Sequence, residues 1–191
     1  MDPVTIANEA TLIYDNITKN SNAVVTRILS LYDLTATKEA LLDSYTPGQT
    51  ITYITRVENT GSASLYNLTI VDDLANGTLQ YIDTSIEGYL NGSPIEIDVQ
   101  KTANTVTFKI DNVLNPNDNV LIIFETTTPT TNPEQITNTQ TITANGGSTT
   151  GPIVTAKPNP SATVTLANYV TLDITKEVDK TSIYSGESLV Y

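Results

Sequence analysis

The sequence predicts an all-β chain folded as a Greek-key β-sandwich, on three observations. Apolar and polar residues alternate with period two through most of the 191 residues, which turns one side of each run to a core and the other to water. Turn-forming clusters punctuate the runs: Pro47-Gly48, Asn59-Thr60-Gly61, Asn76-Gly77, Asn91-Gly92 and Asn115-Pro116-Asn117-Asp118. The polar residues are mainly Thr, Asn and Ser, and only 16% of the chain is charged, a balance that suits half-exposed β surfaces better than solvated helices.

Taken in order, the elements fill residues 34–168. The run LTATKEA opens the series at Leu34, with Leu34, Ala36, Lys38 and Ala40 on one face. KEALLDSY (38–45) contains helix-forming residues, but it reads as a strand end and loop, because the matching KEVDKTSI (176–183) has no helical pattern. After Pro47-Gly48 come TITYITRVE and, past the next turn, LYNLTIVDD. TVTFKI (105–110) sets Val106, Phe108 and Ile110 against Thr105, Thr107 and Lys109. VLIIFE (120–125) is apolar on both faces, as a central strand is. ITNTQTIT and ATVTL (162–166) alternate again. About eight or nine short strands at this spacing indicate a sandwich of the immunoglobulin type.

Composition excludes several functions. The chain has no Cys, His or Trp, which removes disulfides, zinc–thiolate sites, thiol nucleophiles and the usual neutral-pH base. A nucleophilic Ser or Thr would lack a histidine partner, so turnover catalysis is not expected, and no cofactor is implied. A net charge of −12 disfavours nucleic acid and anionic membrane surfaces. No apolar run is long enough to span a bilayer, and the N-terminus carries no signal-peptide pattern. The sequence reads as an excerpt of something larger.

An internal repeat carries that reading. LTATKEALLDSYTPGQTITY (34–53) aligns without a gap on LDITKEVDKTSIYSGESLVY (172–191), so that Lys38 and Lys176 lie 138 residues apart. Ile6-Ala7-Asn8-Glu9-Ala10-Thr11-Leu12 resembles Ile136-Thr137-Asn138-Thr139-Gln140-Thr141-Ile142 at an offset of 130; an insertion in ANGGSTTGPIVTAKPNP (144–160) absorbs the difference. Residues 1–33 are therefore expected to be the tail strands of a preceding repeat, 34–168 a whole module, and 169–191 the head strands of a following one.

The succession LTATKEA, TPGQTITYITRVENTG, NLTIVDDL, LNPNDNVLIIFETTT and ITNTQTIT resembles the DUF11-type conserved repeat of bacterial surface proteins. One departure is Ala75, close to where that repeat usually has Pro after the Leu of its Asp-x-Leu motif. The resemblance implies an extracellular or cell-surface structural module, a stalk or spacer. Its partners would be neighbouring repeats, or other copies of itself joined by strand addition.

Parity then isolates a costly set of residues. Lys38 shares a face with Leu34 and Ala36, Asn138 with Ile136 and Ile142, and Asp72 with Leu68, Ile70 and Leu74. A lysine, an asparagine and an aspartate all aimed at one core must find partners or change protonation. They are also the components of the intramolecular isopeptide bond of pilin and adhesin domains, which this repeat resembles. The resemblance implies Lys38 as nucleophile, Asn138 as electrophile and Asp72 as the acid. A buried Lys38–Asp72 ion pair with Asn138 hydrogen-bonded beside it satisfies the same parity. Asn8 and Lys176 occupy the corresponding places in tail and head, and would meet if the head of one chain completed the tail of another.

Other candidates carry less. Asp72-Asp73 are separated by parity and belong to no calcium-loop pattern, with Asp73 expected in solvent and no metal site implied. Asn117-Asp118-Asn119 reads as a turn, and sequons such as those at Asn16, Asn67 and Asn76 are what an Asn/Thr-rich chain produces by chance. An adhesin module binding a glycan or host protein is a further alternative, with an unknown ligand and no aromatic platform to mark it.

Overall fold

The alternating runs form seventeen strands among the residues that the computed structural model describes, namely 4–28, 30–131, 133–167, 175–179, 181–188 and 190. The first four are β1 (Val4–Asn8), β2 (Thr11–Tyr14), β3 (Ile17–Asn20) and β4 (Val24–Ile28). They are followed by β5 (Thr35–Ala40), β6 (Ser44–Tyr45), β7 (Thr50–Glu58), β8 (Leu65–Asp72), β9 (Gln80–Tyr81), β10 (Glu87–Leu90) and β11 (Ser93–Pro94). The last six are β12 (Asp98–Lys101), β13 (Val106–Ile110), β14 (Asn119–Thr127), β15 (Gln135–Gly146), β16 (Ile153–Thr155) and β17 (Ser161–Leu166).

Strands β5 to β17 build a two-sheet sandwich. One sheet runs β11-β10-β14-β7-β5, with β9 also on β14; the other runs β12-β13-β8-β15-β17-β6, with β16 also on β15. Named by their place in the sandwich, β5-β7-β14-β10 and β8-β15-β17 are the A-B-E-D and C-F-G orders of the immunoglobulin fold. Every pairing is antiparallel except β17 with β6. KEALLDSY divides into the end of β5, a bend and β6, as its lack of helical periodicity requires.

Inward-facing residues from both sheets fill the space between. Ile51, Tyr53 and Val57 of β7 face Leu68, Ile70, Phe108, Ile142 and Val164, all essentially buried. Each such side chain contributes about 1.5–3 kcal/mol by leaving water. VLIIFE lies between β7 and β10: Val120, Ile122 and Phe124 enter the core, while Leu121 and Ile123 are half-buried on the outer face.

Strand β8 stops at Asp72 because the backbone reverses there. Leu74, Ala75 and Asn76 all take left-handed conformations, with φ of 48°, 53° and 57°. A proline, locked near −65°, could not occupy position 75 in this turn. The turn is held by carboxylates at its start: Leu74 N–H donates to Asp72 Oδ1 (2.9 Å) and Ala75 N–H to Asp73 Oδ1 (2.9 Å). Asp73 also accepts from Thr139 N–H (3.2 Å) and is half-buried. The expectation of a solvated Asp73 is therefore corrected, since an unpaired backbone donor at a strand end recruits the nearest carboxylate.

The flanking segments share local features with residues 34–168. In β1–β4, Ile6 pairs with Thr26 and Asn8 with Val24; in β15–β17, Ile136 pairs with Val164 and Asn138 with Ala162. The two hairpins share one register. Their burial differs: Ile6 is 54% exposed where Ile136 is 2% exposed, because among the described residues no second sheet covers β1. On the C-terminal side, Gln49 N–H donates to Thr46 carbonyl and Glu187 N–H to Tyr184 carbonyl, both at 3.1 Å. Gly48 (φ 75°) and Gly186 (φ 94°) supply the left-handed residue of each turn. Residues 175–179, 181–188 and 190 form no strand; Asp179 N–H donates to the Val190 carbonyl (3.2 Å) and Val190 N–H to Asp179 Oδ1 (3.1 Å). The start of the expected head, 169–174, and the ends of its last run, Leu189 and Tyr191, lie outside the described residues.

Candidate functional site

Five strands meet at one polar cluster inside the sandwich. Lys38 comes from β5, at the edge of the first sheet, and lies opposite Thr55 of β7. Asp72 is the last residue of β8 and Gln140, on β15 of the second sheet, is its cross-strand partner. Asn138 lies two residues before Gln140 and so on the same face. Phe124 enters from β14, between β7 and β10.

Lys38 Nζ reaches across the inter-sheet space to Asp72 Oδ2 at 2.6 Å, and both side chains are fully buried. The same oxygen accepts from Gln140 Nε2 (3.0 Å) and lies 3.4 Å from Asn138 Nδ2. Thr55 Oγ1 donates to Gln140 Oε1 (2.9 Å). The ammonium sits 4.8 Å from the centre of the Tyr53 ring and 5.6 Å from that of Phe124, and these two rings stack on each other at 5.6 Å. The cation is thus held by one carboxylate and two aromatic faces.

Burial is the dominant influence on Lys38. Desolvation lowers its pKa below the ordinary lysine value, and the charges of Asp72 and Asp73 offset this only in part. Desolvation likewise raises the Tyr53 phenol well above its usual range, and the Asp72 charge adds to the effect. Two atoms of the cluster make no hydrogen bond at all: the Tyr53 hydroxyl and Asn138 Oδ1.

Chemically, this is a lysine, a proton acceptor and a carboxamide excluded from water. A proton moving from Nζ to Asp72 Oδ2 leaves a neutral amine beside an amide that no solvent can hydrolyse. Lys38, Asp72 and Asn138 are brought together. Asn8 and Lys176 are both exposed, so neither belongs to a buried site. Gln140 alternates onto the face of Asn138, and Tyr53 and Thr55 onto the core face of β7, but alternation alone gives none of the three a role. Among the described residues, no cluster of three or more acidic side chains could hold a metal ion, and no helix is long and apolar enough to cross a membrane.

Thr55→Val tests how the cluster is braced. It leaves the buried Gln140 Oε1 without a donor, and the module is expected to lose about 1–3 kcal/mol in denaturant unfolding. Thr55→Ser, which keeps the hydroxyl, should lose much less.

The fold has solved counterparts. The major pilin subunit BcpA of Bacillus cereus matches with a TM-score of 0.54 at 12% identity, over 83% of this chain and 47% of that one. The full-length major pilin SpaD of Corynebacterium diphtheriae matches with a TM-score of 0.53 at 14% identity, over 68% of this chain and 33% of the pilin. This chain therefore spans less than half of either pilin, and the likeness is one of fold: an immunoglobulin-type β-sandwich of the kind found in bacterial pilins. No family model matches the chain, and no curated protein does.

Proposed function

We propose that the chain is a non-catalytic structural module of a bacterial cell-surface or extracellular fibre protein, a stalk or spacer closed by an isopeptide bond between Lys38 and Asn138. The observation that carries this reading is the Lys38–Asp72 contact of 2.6 Å with the Asn138 amide beside it, fully buried between two sheets. An ion pair alone would be a poor device for stability here, since burying two charges costs several kcal/mol for each ion. A covalent product removes the lysine charge altogether. Asp72 takes the lysine proton and then polarises the amide, and ammonia leaves once per molecule. The bond joins β5 to β15, near the two ends of the module, so tension along a fibre passes through covalent links. That bacterial pilins share this fold supports a fibre setting.

The domain reading is part of the proposal. Residues 1–33 are the last strands of a preceding repeat, 34–168 one whole module and 169–191 the opening of the next. The shared register of β1–β4 and β15–β17 supports it, as do the matching turns at 46–49 and 184–187. In a tandem array, the covering sheet that β1 lacks comes from the preceding repeat, and neighbouring repeats are the partners.

Intact mass under denaturing conditions tests the bond. The purified chain should weigh one ammonia less than its sequence, and Lys38→Ala should restore the full mass. A wild-type mass equal to the sequence value would leave the cluster as a buried polar network and refute the bond.

A further inference from the structure

The two unpartnered atoms of the site belong to neighbouring side chains. Tyr53 and Asn138 flank the same ion pair: Lys38 Nζ, 2.6 Å from Asp72 Oδ2, lies 4.8 Å from the centre of the Tyr53 ring, and Asn138 Nδ2 lies 3.4 Å from that same oxygen, while the Tyr53 hydroxyl and Asn138 Oδ1 are both buried and unpaired. Native cores rarely leave such atoms unsatisfied, and those that occur ask for a reason. Here Nδ2 faces Asp72 Oδ2, which suits an ionised carboxylate. Once Asp72 holds the lysine proton, the preferred orientation reverses. Half a turn of the amide about its Cβ–Cγ bond exchanges Nδ2 and Oδ1 and turns the carbonyl oxygen toward Asp72 Oδ2, in a cluster whose one other unpaired group is the Tyr53 hydroxyl.

We propose that Tyr53 is a catalytic residue of bond formation, its hydroxyl being the second hydrogen-bond donor, beside protonated Asp72, to the charge that develops on Asn138 Oδ1. The proposal rests on the bond-forming reading above and extends it.

The steps balance without any outside reagent. The Lys38 ammonium passes a proton to Asp72 Oδ2, and the Nζ lone pair adds to Asn138 Cγ. The carbonyl electron pair moves onto Oδ1, where both donors meet it. Collapse re-forms the carbonyl and breaks Cγ–Nδ2, while Asp72 relays the proton released by Nζ to the departing nitrogen. An amine and a primary amide become a secondary amide and ammonia. Tyr53 stays a donor throughout, because burial and the Asp72 charge both disfavour its phenolate.

Tyr53→Phe removes the hydroxyl and keeps the ring that stacks on Phe124. Wild type and variant would be made by cell-free synthesis and sampled over time by intact mass. The variant is expected to lose ammonia on the order of 100-fold more slowly. In an Asn138→Ala background, where no bond forms, the same change should leave the denaturation midpoint unchanged or raise it, because an unpaired hydroxyl has gone. Equal rates of ammonia loss would overturn the role of Tyr53 while leaving the bond in place. A midpoint that falls in the Asn138→Ala background would overturn it too, by tracing slow reaction to poor packing. A wild-type chain that never loses ammonia would overturn the bond reading itself, and with it the assignment of Tyr53.

Discussion

Asp72→Asn leaves the chain at the full mass of its sequence and, compared in the Asn138→Ala background, lowers its stability by about 3–5 kcal/mol. The asparagine matches aspartate in shape and can still accept from Leu74 N–H, so the left-handed turn keeps its anchor. What it cannot do is neutralise Lys38, whose side chain is fully buried, or take its proton. The lysine is left either charged and unpaired in the core or neutral at a cost set by its lost proton. Adding Lys38→Met separates these effects. With both charges gone, the triple variant should regain most of the lost stability, because apolar replacement of a buried pair is often neutral or favourable. Denaturant unfolding measures the stability and intact mass reads the bond. If Asp72→Asn still loses ammonia, Asp72 is not the proton carrier.

Asn138→Ala carries the second large effect. Lys38 and Asn138 lie 100 residues apart in sequence, and a link closing a loop of that length restricts the unfolded chain by about 4–5 kcal/mol on the disulfide analogy. The variant should lose stability of that order. It should also unfold with a steeper dependence on denaturant, because an unlinked chain exposes more surface on unfolding. The change also removes the 3.4 Å contact of Asn138 Nδ2 with Asp72 Oδ2 and leaves a gap at a fully buried position, so the steeper denaturant dependence, which lost packing does not produce, is what marks the bond. A midpoint and slope equal to wild type would mean that no bond closes this loop.

Much of the site is legible from alternation alone. Lys38, Asp72 and Asn138 each share a face with core residues, and period two is a property of the extended backbone that needs no knowledge of neighbours. Legibility fails where strands must be matched across the gap. Thr55 and Gln140 both alternate inward, yet only the crossing of β7 over β15 brings Oγ1 within 2.9 Å of Oε1. Tyr53 reads as one more core aromatic until the packed sheets set its ring 4.8 Å from Lys38 Nζ with its hydroxyl unpaired. The turn after Asp72 was equally hidden: DDLANG carries its Asn-Gly signal, but nothing local foretells left-handed Leu74 and Ala75. The flanks divide the same way. The turn at 184–187 forms from local hydrogen bonds, whereas the residues described after it form no strand.

By itself the sequence determined the all-β class, the strands and their buried faces, because backbone geometry and the aversion of apolar side chains to water act within a few residues. It determined too that a lysine and an aspartate point inward. Tertiary structure alone decided that they meet, that a second amide and a threonine brace them, and that a tyrosine hydroxyl stands unpaired beside the asparagine. Those contacts join residues tens of positions apart on opposite sheets, and only the order and relative twist of the packed strands sets which of them touch.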